Sequence, residues 1–156
     1  MYSKYAKILS RGFSMLMLLG LLLQPWSGYS VYAAPGDIAR VSVSSSGAEA
    51  DAMTYSGEIS ADGHFVVFDS EAGNLVAGDT NGTGDVFLHD RQLHTTVRVS
   101  VDATGGQVDG GGGAASVSAD GRFVAFESGA TNLVTGDTNT FTDIFVKNMQ
   151  SGAVTR

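Results

Sequence analysis

Six oxygen-bearing residues at fixed spacing are the best candidates for chemistry in this chain. Asp79, Asn81 and Asp85 occupy one loop, and Asp137, Asn139 and Asp143 recur in a second. Calcium takes several oxygen ligands at roughly 2.3 to 2.6 Å, and an Asp-x-Asn step aims two side chains into one turn. The full EF-hand spacing is missing. Position five of the loop is not a third Asp or Asn, and position twelve is Asp90 in the first copy and Asn148 in the second, not Glu. Asp and Asn also close Asx-turns on their own backbone. Two readings of these loops therefore stand side by side: a calcium site, or a pair of turns.

Other chemistries find less support. His64, His89 and His94 correspond to Arg122, Lys147 and Gly152 in the second copy, so no metal or acid–base set is repeated. Cysteine is absent, which excludes disulfides, thiolate nucleophiles and cysteine zinc sites. No Gly-x-Ser-x-Gly nucleophile elbow occurs. Asp62 and Asp120 each precede glycine in a turn signal, which argues against a glycosidase-like carboxylate pair. The run Gly110 to Gly113 lacks the following lysine and helix of a phosphate loop, and is expected to be a flexible linker. No catalytic residues and no cofactor are expected.

The elements that position these residues follow from an internal repeat. A shift of 58 residues aligns the chain on itself without a gap, and half of the forty positions from 59 to 98 are identical to their partners. Ser60-Ala61-Asp62-Gly63 falls on Ser118-Ala119-Asp120-Gly121, and Asn74-Leu75-Val76-Ala77-Gly78-Asp79-Thr80-Asn81 on Asn132-Leu133-Val134-Thr135-Gly136-Asp137-Thr138-Asn139. Arg40-Val41-Ser42-Val43 matches Arg98-Val99-Ser100-Val101, and Arg156 takes the same position again.

Each period reads as four short strands. A weak strand precedes each Asp-Gly hairpin, at 57–60 and 115–118. The apolar runs Phe65 to Phe68 and Phe123 to Phe126 follow, and four apolar residues in sequence call for burial on both faces. Asp85 to Asp90 and Asp143 to Asn148 are β-rich runs bounded by turn residues. Thr95 to Ser100 alternates with period two, as a half-exposed edge strand does. Four antiparallel strands at fixed period, with the second buried on both faces, describe β-propeller blades. The expected fold is all-β: two four-stranded antiparallel blades of a partial propeller after an N-terminal signal peptide.

Residues 1–33 have the pattern of an export signal. Lys4, Lys7 and Arg11 form a positive start, and the apolar stretch Met15 to Leu23 is nine residues long, against the roughly 20 that span a bilayer. Val31-Tyr32-Ala33 supplies small residues for cleavage after Ala33. The whole chain carries a formal charge of −7. Cleavage leaves six bases against sixteen acids, or −10. So acidic a chain disfavours nucleic acid, whose phosphates need clustered Lys and Arg. The expected organisation is signal peptide 1–33, N-terminal strand and linker 34–54, first blade 55–101, Gly-rich linker 102–113, and second blade 114–156.

At these motifs the chain resembles the TolB-type, WD-like propeller repeat. That family carries a Ser-Pro-Asp-Gly hairpin, an apolar strand ending in Phe and Ser, and an Asp-Ile-Tyr/Phe-Val strand. Ala61 and Ala119 stand where the family usually has Pro, and the long Asn-Leu-Val-x-Gly-Asp-Thr-Asn loop points to a divergent extracellular branch. The resemblance covers about residues 38–156. It is specific for fold and not for function. With the export signal, the acidic charge and the long loops, the expected function is an exported scaffold that binds a protein or polymer partner, with no nucleic acid and no membrane span after signal cleavage. It leaves two alternatives open: the propeller portion of a larger secreted hydrolase or lyase, or a calcium-stabilised cell-surface adhesion repeat. The expected location is secreted, periplasmic or at the cell surface, with bacterial export. Propellers close with roughly 4 to 8 blades, so two blades are expected to be a fragment of a longer protein or to need self-association.

Overall fold

The computed structural model describes residues 38–156, and the expected signal peptide lies outside the described residues. Eight strands form two four-stranded antiparallel sheets, each a meander in chain order. The first sheet holds β1 (Thr54–Ile59), β2 (Phe65–Ser70), β3 (Asp85–Asp90) and β4 (Thr95–Arg98). The second holds β5 (Gly112–Val117), β6 (Phe123–Ser128), β7 (Asp143–Asn148) and β8 (Val154–Thr155). The repeat offset holds at the level of register: Phe68 lies opposite Phe87, and Phe126 opposite Phe145. Each sheet is blade-like. Among the described residues no helix is long and apolar enough to cross a membrane.

The hairpin between the first two strands of each sheet is built from one set of side chains. Ser60 Oγ donates to Asp62 Oδ1 at 2.6 Å and accepts from Phe65 N at 2.9 Å, while His64 N donates to Asp62 Oδ1. Ser118, Asp120, Arg122 and Phe123 repeat the pattern. The left-handed corner falls on glycine, at φ +72 for Gly63 and +66 for Gly121. A Cβ at Gly121 would lie 2.3 Å from the Phe65 ring, so this glycine also lets the second hairpin pack on the first sheet.

The core is in two parts that share one plan. In the first sheet Val66, Phe68 and Phe87 pack with Ala72 and Leu75, and Val41 and Ala50 rest on them. In the second sheet Val124, Phe126 and Phe145 pack with Ala130 and Leu133, and Val99 and Val108 rest on them. Every one of these residues is 58 positions from its counterpart. A segment preceding each sheet therefore turns back, bridged Val43 to Glu49 or Val101 to Gln107, and covers the aromatic face. Asn74 fastens the first cover by donating to Glu49 O and accepting from Asp51 N, and Asn132 does the same with Gln107 O and Asp109 N. A second fastening comes from β3 and β7. His89 reaches Thr96, whose hydroxyl donates to Val43 O, whereas Lys147 Nζ reaches Val101 O directly at 3.3 Å. Burial pushes the Lys147 ammonium down to about 8.

Three expectations need correction. Residues 34–54 were expected to include a strand, but among the described residues none precedes Thr54. The matching β4 pairs with β3. Residues 41–50 serve as the cover of the first sheet. Gly110 to Gly113 were expected to be a flexible linker, yet Gly112 and Gly113 belong to β5, and Val108 just before the run is buried. The glycines permit close approach: a Cβ at Gly110 would meet Ala130 N at 2.8 Å. Finally, β2 is buried on both faces, but β6 only on the face of Val124 and Phe126. The first sheet has β5 packed against it, which buries Val67, Val86 and Leu88.

Phe126 therefore lies in a closed core and Ile144 on an open face. Phe126→Ala is expected to cost about 3 to 5 kcal/mol, and Ile144→Ala no more than about 0.5 kcal/mol, read by urea denaturation.

Candidate functional site

The loop joining β2 to β3 brings Asp79, Asn81 and Asp85 together, as their spacing implied. Asp85 opens β3 and is fully buried. Its Oδ1 accepts from Ser100 Oγ at 2.5 Å, and the same hydroxyl accepts from Val86 N. Asn81 Nδ2 donates to Asp85 Oδ2 at 3.2 Å, while Asn81 Oδ1 accepts from Thr83 N at 3.1 Å and closes an Asx-turn. Arg98, at the end of β4, sits between the two acids. Its Nη1 lies 3.3 Å from Asp79 Oδ1 and 3.5 Å from Asp85 Oδ2, and its side chain is only 8% exposed. Gln107 closes the loop from the next segment, accepting from Thr80 N and Thr80 Oγ1 and donating to Asp79 Oδ1.

The second loop repeats this arrangement in a more open form. Arg156 Nη1 lies 2.6 Å from Asp137 Oδ1 and 3.3 Å from Asp143 Oδ2. Asn139 donates to Asp143 and accepts from Phe141 N. Arg156 is 37% exposed, so its ion pairs are more strongly screened than those of Arg98. Arg40, at the same repeat position, pairs with Glu49.

These contacts determine what the site can do. The lone pairs of Asp79 and Asp85 that calcium would need are engaged by a guanidinium, a serine hydroxyl and two amides. Arg98 supplies the positive charge, and the Asn81 Asx-turn supplies the loop shape. Burial and the charge of Asp85 nevertheless hold the Asp79 carboxyl above its usual range, with Arg98 opposing the shift. Among the described residues no three His, Asp or Glu side chains are grouped to hold a metal.

The remaining candidates are engaged locally. His64 Nε2 lies 2.8 Å from Asp90 Oδ1, and its ring stacks on Phe65. Burial, reinforced by His94, holds His89 below its ordinary value. The Ser60 and Ser118 hydroxyls lower the pKa of Asp62 and Asp120, which suits ionised turn residues better than proton donors.

Arg98, Arg156, Ser100 and Gln107 are the site residues that motif reading overlooks. Their signal is periodic: arginine recurs at 40, 98 and 156, and a charge kept at fixed period implies a counter-charge kept at the same period.

No family model matches the chain, and no curated protein matches it in sequence. Among solved structures the chain is similar to the crystal structure of TolB from Acinetobacter baumannii, at 19% identity and a TM-score of 0.42. The match covers 69% of this chain and 21% of that one, so the chain spans about a fifth of the length of TolB. The two blade-like sheets stand independently on their topology and register.

Removing one partner of a buried ion pair leaves the other charge uncompensated. Arg98→Met is expected to cost about 3 to 5 kcal/mol by denaturant titration, and the exposed Arg156→Met about 1 kcal/mol or less. Within this cluster the sign with pH is set by Asp79. Its folded pKa lies above the ordinary 3.8, so the folded state binds this proton more tightly and the contribution of Asp79 to stability rises as pH falls through that window. Arg98→Met should recover part of its loss on acidification, and a loss independent of pH would contradict this account. The turn and calcium readings also separate in a thermal melt. With arginine as the staple, melts with calcium and with chelator superimpose. A calcium-dependent rise in Tm that Asp79→Asn abolishes would place the ion in the loop.

Proposed function

We propose that this chain is part of an exported β-propeller scaffold that binds a protein or polymer partner outside the cytoplasm, through the rim that carries its long loops. The observation that carries this reading is the contrast between the frame and the tips of that rim. The residues that fasten the rim recur in both repeats: Asn74 and Asn132, Asp79 and Asp137, Asp85 and Asp143, Arg98 and Arg156. The tips do not. Ser44-Ser45-Ser46-Gly47 stands against Asp102-Ala103-Thr104-Gly105. A rigid frame presenting variable exposed tips is the usual way a scaffold supports recognition. Beside the first tip lies an open groove of about 460 Å³, bordered by Ser44, Ser45, Ser46, Leu75, Val76 and Thr96.

No catalytic step is part of this proposal. In each loop two acids pair with one arginine, and Ser60, Ser70, Ser100, Ser118 and Ser128 are hydrogen-bonded to carboxylates or backbone. The export pattern of residues 1–33 supports a location outside the cytoplasm.

The test is binding of the exported chain to glycan and purified envelope-protein arrays, with the Asp102–Gly105 tip exchanged for Ser-Ser-Ser-Gly in a second preparation. The expected result is a specific signal that the exchange changes about tenfold or more without moving the thermal melt. Blank arrays, or an exchange without effect, would refute the rim as a binding surface.

A further inference from the structure

The two sheets differ in what covers the face turned away from their own hairpin cover. In the first sheet that face carries Val67, Val86 and Leu88, and Val86 and Leu88 are 0% and 5% exposed because β5 packs on it. In the second sheet the same positions are Ala125, Ile144 and Val146, and Ile144 and Val146 are 62% and 38% exposed. The opposite end of the molecule shows the converse. Ile59 of β1 is 53% exposed, while its counterpart Val117 in β5 is 8% exposed at the interface between the sheets. One chain therefore carries both halves of an interface whose internal copy is already formed.

We propose that these two faces join copies of this chain head to tail, the open face of β6 and β7 in one copy receiving the β1 side of the next. The internal interface supplies the register. Phe65 packs on Gly121, so Phe123 meets Gly63 of the next copy. Gly111 lies by Thr83, so Met53 meets Phe141. Gly112 N donates to Gly84 O at 2.8 Å, so Thr54 N meets Thr142 O. Of the ten large hydrophobic residues exposed among the described residues, six lie on these faces: Met53 and Ile59 at one end, Phe123, Phe141, Ile144 and Val146 at the other. Scattered exposed apolar residues are ordinary, but concentration on two matching faces marks an interaction surface.

Charge agrees with this arrangement. The internal junction places Arg98 against Asp79 and Asp85, with neutral Gln107 beside them. At the proposed junction Glu49 replaces that glutamine, and Arg40, already paired with Glu49, comes with it. Arg40 and Arg156 then face Asp137, Asp143 and Glu49, one net negative charge in either junction. Such an interface is heterologous, and it ends in a ring when the rotation closes. About two to four copies would supply the roughly 4 to 8 blades with which propellers close.

The test is sedimentation velocity of the processed full-length chain over a wide concentration range. Wild type is expected to form a closed species heavier than a monomer. Ile144→Asp and Ile59→Asp, both at exposed positions, are each expected to weaken association about tenfold or more with unchanged thermal melts. Each variant keeps one intact face, so an equimolar mixture of the two should form a dimer that neither forms alone. The chain has no cysteine, so Met53→Cys and Phe141→Cys chains, mixed and oxidised, should cross-link to one another in preference to themselves. A wild type that stays monomeric at every concentration would show that these faces serve another occupant and overturn the proposal. Association that survives both aspartate variants, or a mixture that gives no dimer, would overturn it equally.

Discussion

A single guanidinium, buried between two carboxylates at the end of β4, organises the rest of the rim. Arg98 holds Asp79 and Asp85 together, and through them it fixes where the long loop leaves β2 and where β3 begins. Ser100, Asn81 and Gln107 then satisfy the lone pairs that the arginine leaves. A buried charge cluster of this kind is weak evidence for net stability, because desolvation offsets much of the Coulomb attraction. Its consequence here is registry: the loop can close only where both acids meet the arginine, and that happens once per period.

Much of the architecture was legible in the residues. The Ser-Ala-Asp-Gly hairpins, the Phe-rich strands and the Asp-led third strands announced themselves through turn chemistry and β-propensity, and each formed close to its expected position. The Asp-x-Asn loops were legible as clusters and also as turns. What they bind was hidden, because Arg98 is remote in sequence from Asp79 and carries no motif. The Gly110 to Gly113 run misled for a physical reason. Glycine marks a free chain and a tightly packed one equally well, and only the neighbours Ala130 and Glu127 tell the two apart. The exposure of Ile144 was equally unreadable, since an apolar residue in a strand does not say whether its cover lies in the same chain.

The two repeats also show which substitutions one design tolerates. His89 and Lys147 differ in length and charge, yet both fasten a hairpin carbonyl, one through a threonine hydroxyl and the other directly. Asn74 and Asn132, by contrast, are the same residue with the same two backbone partners. A primary amide both donates and accepts, and few side chains can do both at one point.

The hairpin covers have one more consequence. Val99 and Val108 leave the first sheet in sequence but complete the core of the second, so the unit of sequence and the unit of folding are displaced from each other. Neither sheet is a module that could be excised at its own strand boundaries, because each would leave its lid behind. Only a cut and rejoin spaced by a whole period returns a lid to every core. A gene of this kind can therefore lengthen or shorten by duplication in steps of one repeat with every core keeping its lid, and a cut and rejoin at any other spacing parts a core from its cover.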